Sequence, residues 1–482
     1  MARTKIICTI GPATENVDII KEMIKAGMNV ARFNFSHGNI EEQRRFIDVV
    51  KQAREELQLP VSLMLDTKGP EIRTGKFEND KVELVEGQLF SLINEDLLGN
   101  NERVPITYKE LYNDVNVGTQ ILVSDGEIEL EVVEVHDKDI VCKVKNGGVL
   151  GNQKSINVPG VHLSMPFMTQ KDIDDISAGC MEDFDYISAS FVRCKEDVLS
   201  IRKVLKDNNC EDIKIISKIE NKEGIDNFDE ILEATDGIMV ARGDLGDEIP
   251  LEELPIWQKE FVKKCNDNGK IVIIATQMLE SMIENPRPTR AEVSDVANAI
   301  FDGAGVIMLS GETANGKYPL NCVNTMTRIA NEMESYINYW DRFVERKINF
   351  LSNTDYEFEL NHSAVLTAKD LQAKAIFAYT VTGRTPRLVA SLMPGCPIYA
   401  ITSNYKTYRQ LSMVWGVTPI IVDDNDAPDD VIAEGIEIAK QYGFVEQGDI
   451  VVLAGGSAIL SKPKEDNRFN QINRSIGGIF KI

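Results

Sequence analysis

The stretch Ile213–Ile225 reads IKIISKIENKEGI. Its β-branched run, Ile213, Ile215 and Ile216, leads into Ser217, Lys218, Ile219 and Glu220. Residues two apart in an extended chain share a face, so Lys218 and Glu220 point the same way. Charged side chains are poorly accommodated inside a buried strand. At the tip of a strand they face a ligand instead, and an ammonium beside a carboxylate suits a phosphorylated substrate and its metal ion. The plainer alternative is that the two charges only pair with each other.

The same texture recurs along the chain. Apolar runs at Lys5–Ile10, Asn29–Phe33, Ser62–Leu65, Tyr186–Ala189, Lys214–Ser217, Gly237–Ala241, Ile271–Ala275 and Val306–Leu309 predict strands. Helical periodicity at Val17–Ala26, Glu41–Leu57, Leu254–Asn268 and Arg290–Asp302 predicts helices between them. Eight strands alternating with helices is the count of a closed (β/α)8 TIM barrel, an α/β fold. Six of the runs end in polar chemistry: Arg32 with Asn34, Asp66 with Thr67, Lys218 with Glu220, Arg242 to Asp244, Thr276 with Gln277, and Ser310. Such barrels carry their active sites at the C-terminal strand ends. Every strand must leave into a polar loop, but six ends of functional type exceed what loop exits alone require.

Two further units interrupt or follow the barrel. Around Pro70–Pro166, alternating runs at Val82–Val85, Gln120–Val123, Glu127–Val135 and Ile140–Val144 predict an inserted all-β lid domain, with hairpin turns at Asp125-Gly126 and Asn146-Gly147-Gly148. After about Glu345, buried-strand runs at Ala375–Tyr379, Ile398–Thr402, Pro419–Val422 and Asp449–Ala454 predict a C-terminal α/β unit. The expected boundaries are 1–69 and 167–344 for the barrel, 70–166 for an inserted β-barrel and 345–482 for the last unit.

Bulk properties narrow the partners. The 482 residues suggest about three domains. The net charge of −24 argues against nucleic acid, which favours a basic face, and against anionic membranes. No secretory h-region and no apolar run of about eighteen residues is present. Eight scattered cysteines without a CxxC read as reduced thiols of a cytoplasmic protein, and the four histidines lack zinc spacing.

Glu220 and Asp244 end neighbouring strands, so their carboxylates can share one ion. Two carboxylates plus substrate oxygens is a common way to hold Mg2+ (or Mn2+). In a chain with 76 acids, a pair of solvated loop acids is the competing account; Lys218, Arg242 and Gly243 beside them favour the metal. Gly243 also permits close backbone approach of a ligand. Arg32 and Lys218 are the expected phosphate binders, a planar fork and a point charge. Asn34, Ser36, Asp66 and Thr67 form an oxygen-rich set suited to a hard cation, although on the residues alone capping and turn hydrogen bonding accounts for them. The segment from Gly311 to Lys317 matches GxxxxGK, but Tyr318 stands where Ser or Thr must meet Mg2+. No GxGxxG opens a helix after a strand.

IKIISKIENKEGI resembles the active-site motif of pyruvate kinases. So do TIGPAT (Thr9–Thr14), ARFNFSHG (Ala31–Gly38), LDTKGPEIRTG (Leu65–Gly75), MVARGDLG (Met239–Gly246), ATQMLESM (Ala275–Met282), NPRPTRAEVSDVANA (Asn285–Ala299) and MLSGETA (Met308–Ala314). The resemblance runs from Lys5 to the C-terminus and is densest in the barrel. It implies glycolytic conversion of phosphoenolpyruvate and ADP to pyruvate and ATP by a cytoplasmic homotetramer. Carried over, Arg32 holds the substrate phosphate and Lys218 stabilises the phosphoryl group in flight. Glu220 and Asp244 ligate Mg2+, the Gly243 backbone touches substrate, and Thr276 contacts the carboxylate or enolate. Ser310 helps a proton reach the enolate carbon. Arg73, Lys154 and Asn34 to His37, with Phe35 and Ser36 between, line the nucleotide site. Asn34, Ser36, Asp66 and Thr67 match the family's K+ site, and Glu71 is the residue type associated with K+ dependence.

The loop Thr380, Val381, Thr382, Gly383, Arg384, Thr385 matches the family's site for the phosphate of a sugar-phosphate effector; an ordinary capped helix start is the alternative. Val381 stands where some members carry lysine, and Gly455-Gly456-Ser457 departs from the fructose-bisphosphate-responsive animal pattern, which leaves the effector unnamed. No phosphohistidine-type domain is expected after the C-terminal unit. A Mg2+-dependent 2-keto-acid aldolase is the competing enzyme reading, but it needs neither the β unit, Arg73 nor the K+ set. An inactive metabolite sensor is the reading from another class, and the intact Lys218, Glu220 and Asp244 argue against it.

Overall fold

The computed structural model describes residues 2–36, 38–346, 356–423, 428–455 and 478–482. Eight parallel strands close into a barrel: β1 Lys5–Thr9, β2 Met28–Asn34, β3 Ser62–Asp66, β4 Tyr186–Ala189, β5 Lys214–Ile219, β6 Gly237–Ala241, β7 Ile271–Ala275 and β8 Val306–Leu309. Each pairs with its sequence neighbours, and β1 pairs with β8 to close the ring. These strands are buried on both faces, which is why they read as near-continuous apolar runs. The alternation survives inside the runs: Ile7, Val30, Met64, Tyr186, Ile216, Met239, Ile273 and Val306 fill the barrel interior. Ile6, Cys8, Ala31, Phe33 and Ile215 turn outward into the layer of helices.

Local signals set the helix ends. Asn16 caps Val17–Ala26 by accepting from the Asp18 amide, and Gly27 ends it at φ 124°, where a Cβ is disfavoured. Thr289 and Glu292 form a reciprocal capping box on Arg290–Asp302, closed by Gly303.

The inserted segment leaves after β3 and returns before β4. It folds as a seven-stranded sheet in the order 72–73, 155–157, 120–123, 128–135, 139–146, 89–93 and 103–105. A bridge between Thr74 and Ile106 joins its two outer strands, so the sheet curls round on itself. Its own core includes Phe90, Ile121, Leu130, Val132, Cys142 and Val144. The expected turn at Asp125-Gly126 joins the antiparallel strands Gln120–Val123 and Ile128–Val135.

The expected hairpin at Asn146-Gly147-Gly148 is corrected: strand 148–151 pairs with Lys81–Leu84 in a separate ribbon, not with the strand before it. A Cβ on Gly147 would sit 2.3 Å from the Leu84 carbonyl oxygen, so the glycine serves a close chain crossing between two sheets.

The C-terminal unit has a five-stranded sheet in the order 417–421, 398–402, 375–379, 450–455 and 478–481, the last strand antiparallel. It docks on the N-terminal ends of the barrel strands. Tyr186 Oη donates to the Gln410 carbonyl at 2.6 Å, Ser62 Oγ to the Arg409 carbonyl at 2.6 Å, and Lys5 Nζ to the Val417 carbonyl at 2.7 Å. Met413 enters the interior cluster of the barrel and closes its floor. No described helix is long and apolar enough to cross a membrane, and all eight cysteines are unbridged.

Candidate active site

The C-terminal ends of β2, β3, β4 and β5 bring one charged cluster together. Lys218 on β5 is 9% exposed and Glu220, one residue past that strand, is 0% exposed. Lys218 Nζ lies 2.8 Å from Glu220 Oε1, 3.3 Å from Asp66 Oδ1 and 2.9 Å from Ser190 Oγ. Asp66 is the hub. Its Oδ2 accepts from Arg32 Nε at 2.7 Å, while Arg32 Nη1 donates to Thr9 Oγ1 at 2.9 Å. Burial works against the Asp66 charge, but Arg32 and Lys218 together hold its carboxyl below the ordinary range. Burial likewise disfavours charge on Lys218; Asp66 and Glu220 outweigh it and keep the ammonium protonated. The pairing that the sequence offered as an alternative is therefore present, and it organises the cluster.

Glu220 is differently placed. Burial pushes it up to about 8, with Lys218 opposing and Asp244 adding to the rise. Its Oε2 accepts from the Phe191 amide at 2.7 Å, but Oε1 is buried with no hydrogen bond, the 2.8 Å ion pair to Lys218 lying off hydrogen-bonding directions. A buried carboxylate oxygen that accepts no hydrogen bond, beside a second carboxylate, fits a divalent cation. Among the described residues no group of three or more His, Cys, Asp and Glu is placed to hold a metal, so an ion here would need oxygens from a ligand as well.

β6 leads directly into a short helix, Arg242–Glu248, which carries Gly243 and Asp244. A Cβ on Gly243 would meet Thr276 Cγ2 at 3.0 Å, so the glycine admits Thr276. Thr276 and Gln277 both have positive φ, 70° and 56°, an unfavourable pair outside glycine. Arg242 braces this turn by donating to the Ala275 carbonyl at 3.1 Å and the Thr276 carbonyl at 2.6 Å, and is itself held by Asp295 at 2.7 Å. At the end of β8 the Ser310 amide donates to Glu312 Oε2 at 2.7 Å; the other oxygen of this buried carboxylate accepts from the Leu279 amide at 3.1 Å.

The oxygen-rich set lies on two adjacent strand ends. Asn34 and Asp66 face each other across the β2–β3 register, with Ser36 and Thr67 just beyond. Asn34 Oδ1 accepts from the Ser36 amide at 3.0 Å and the Thr67 carbonyl accepts from Ser190 Oγ at 2.7 Å, so turn hydrogen bonding is real here. The donor chemistry, hard oxygens on adjacent strand ends, fits a weakly held cation. The Phe35 ring is buried against Phe184, its amide donates to the Asp66 carbonyl at 3.0 Å and its carbonyl accepts from Lys171 Nζ at 2.9 Å, so this residue is engaged within the fold. His37 lies outside the described residues.

Arg73 and Lys154 come from the inserted unit, on and beside two paired strands. Arg73 Nη2 pairs with Glu71 Oε1 at 2.6 Å, and Lys154 is exposed. The inserted unit touches the barrel through His162 and Glu223 at 3.0 Å, Asn157 and Glu248 at 3.2 Å, and Arg193 donating to the Leu163 and Met165 carbonyls. A cavity of about 380 Å³ lies along this seam, between Ile72, Ile156 and Val158 on one side and Phe191, Asn221 and Asp244 on the other.

In the C-terminal unit, Thr380 Oγ1 accepts from the Gly383 amide at 2.8 Å, and Gly383 at φ 81° starts helix Arg384–Ser391. Thr380 and Thr385 are buried, Thr382 is exposed, and Arg384 pairs with Glu357. Gly456 and Ser457 lie outside the described residues.

Sequence reasoning passed over Ser190 and Phe191, gave no role to Thr9, Asp295 or Glu312, and read Arg242 only as a neighbour of the metal pair, not as the brace of the Thr276 turn. The segment ASFVR offered only a neutral strand end, and only a count of strand tips would have drawn attention to it.

The family model of the pyruvate kinase barrel domain matches residues 1–323, and that of the pyruvate kinase alpha/beta domain matches 359–467. The pyruvate kinase of Clostridium acetobutylicum is 50% identical over 457 residues, covering 95% of this chain and 96% of that one. That of Geobacillus stearothermophilus is 49% identical over 456 residues, covering 94% of this chain and 77% of its own. The crystal structure of a pyruvate kinase from Cryptosporidium parvum superposes with a TM-score of 0.92 at 38% identity, covering 100% of this chain and 96% of that chain. With likeness of this degree carried from the barrel into the C-terminal unit, the chain belongs to the pyruvate kinase family and is a phosphotransferase.

Proposed function

We propose that the chain transfers the phosphoryl group of phosphoenolpyruvate to ADP, giving pyruvate and ATP, in a reaction dependent on Mg2+ and K+. The observation that carries this is the cluster of Lys218, Arg32, Asp66 and Glu220 at the barrel mouth, two cations fixed by two buried carboxylates. Phosphoryl transfer is loose, with charge spread over the equatorial oxygens, so fixed cations do most of the work.

In this reading Arg32 orients the substrate phosphate and Lys218 meets the transferring group. The Gly243 backbone and Thr276 hold the carboxylate end, and Ser310 assists protonation of the enolate carbon. Glu220 and Asp244 would hold Mg2+, and Asn34, Ser36, Asp66 and Thr67 would hold K+; when bound, these ions supply charge neutralisation for the phosphates. Arg73, Lys154 and residues 34–37 would line the nucleotide, with the inserted unit, 70–166, acting as a lid on the barrel formed by 1–69 and 167–344.

The C-terminal unit, 345–482, would respond to a phosphorylated effector at Thr380, Thr382, Gly383, Arg384 and Thr385. A cytoplasmic homotetramer completes the proposal. Stripping divalent ions with a chelator is expected to abolish pyruvate formation, and added Mg2+ or Mn2+ to restore it; Glu220→Gln and Asp244→Asn should raise the metal concentration required. Full activity in the stripped protein would refute the metal assignment. Titration of sugar phosphates and AMP at subsaturating phosphoenolpyruvate tests the effector loop, and no response to any of them would remove it.

A further inference from the structure

We infer that Ser190 is a positioning residue for phosphoryl transfer: its hydroxyl fixes the direction of Lys218 and ties it to the Asp66–Thr67 strand end. The inference rests on the reading of Lys218 as the group that meets the phosphoryl.

Ser190 directly follows β4, is 2% exposed, and lies between the two proposed ion sites. Its Oγ accepts from Lys218 Nζ at 2.9 Å and donates to the Thr67 carbonyl at 2.7 Å, with Asp66 Oδ1 a further 3.2 Å neighbour. A hydroxyl has one proton, and the shorter contact takes it, which leaves a lone pair aimed at Nζ. The Ser190 amide donates to Thr67 Oγ1 at 3.2 Å, so the backbone carrying the hydroxyl is held as well.

An ammonium has three donors. Those of Lys218 reach Ser190 and Asp66 as hydrogen bonds, while Glu220 at 2.8 Å is held by charge. The two carboxylates are the groups that bound cations would engage. Ser190 is the neutral partner, and it keeps the same lone pair whether or not cations compete for the acids.

The next residue reinforces this. Phe191 has φ 55°, unusual for a bulky side chain, and this turn delivers its amide to Glu220 Oε2 at 2.7 Å. The two-residue turn 190–191 thus touches Asp66, Thr67, Lys218 and Glu220. A buried serine that merely satisfied a strand-end carbonyl would require none of the contacts to the charged groups.

The test uses the full chain with Ser190→Ala, Ser190→Cys and Ser190→Thr. Cys keeps the size without a strong acceptor, and Thr keeps the hydroxyl. Expected for Ala and Cys is a fall in kcat of about ten- to a hundred-fold, the penalty of a displaced reacting group, with KM for phosphoenolpyruvate nearly unchanged. Thr is expected to recover part of kcat. The thermal stabilisation given by K+ relative to tetramethylammonium, read by calorimetry without substrate, should shrink in Ala and Cys. If Ala fails to fold, the Cys and Thr pair carries the same comparison. Wild-type kcat in Ala and Cys, or losses in all three variants that follow melting temperature alone, overturns the inference. An inactive wild-type protein overturns the underlying reading first, so the two failures are distinguishable.

Discussion

Asp66 carries more of the site than any charge that first drew attention. It compensates Arg32 and Lys218 at once, at 2.7 and 3.3 Å, from a position 1% exposed. Removing one member of a buried charge network leaves its partners uncompensated, typically at a cost of about 3–5 kcal/mol. Asp66→Ala is therefore expected to lower the urea midpoint of the barrel by an amount corresponding to that cost, with Asp66→Asn intermediate; an unchanged midpoint would contradict the hub. Lys218, Glu220 and Arg32 were legible in the sequence because charge inside an apolar run is anomalous. Ser190 and Phe191 were not, because neutral residues gain their roles from what the closed ring places beside them. Nor was the turn at Thr276, whose φ of 70° belongs to a residue that ordinarily avoids it and is maintained by Arg242.

Strands and helices of the barrel follow closely from composition, since eight runs buried on both faces leave few alternatives. Tyr186–Ala189, Gly237–Ala241, Ile271–Ala275 and Val306–Leu309 form as the apolar pattern predicts. The inserted unit is harder to read. Its short strands pair across long separations, such as 81–84 with 148–151, and a glycine-rich step that looks like a hairpin is a crossing. Gly147→Ala should force Leu84 aside and speed hydrogen exchange at residues 81–84 and 148–151, leaving barrel amides unchanged. Undisturbed exchange in that ribbon would show that the close approach is not required. In the C-terminal sheet, the strand expected from Pro419 begins at Val417; proline, lacking an N–H, is tolerated there because the strand lies at the sheet edge.

The molecule places its two chemically distinct ends on opposite faces of one barrel. The charged cluster crowns the C-terminal strand ends, and the C-terminal unit seals the floor. Lys5 sits in that floor joint, where burial pushes its ammonium down to about 8 from an ordinary value near 10.5, Glu334 opposing. Between those values the unfolded chain binds more protons than the folded one, so stability rises with pH across that window and the penalty is fully present below it. The gain amounts to about 3 kcal/mol. Melting of wild type should therefore improve relative to Lys5→Met between pH 7.5 and pH 10, and parallel profiles would contradict the buried charge. At the opposite face, the proposed reaction would require a chain at −24 to hold two polyanions, which it would do by concentrating Arg32, Arg73, Lys154 and Lys218 with bound cations. The most direct test is pyruvate release from phosphoenolpyruvate, measured with and without ADP, Mg2+ and K+, in wild type and Lys218→Met. The expected result is release that requires both ADP and Mg2+, rises when K+ replaces tetramethylammonium, and is lost in a folded Lys218→Met protein. Release independent of ADP, or full activity in that variant, would contradict the account.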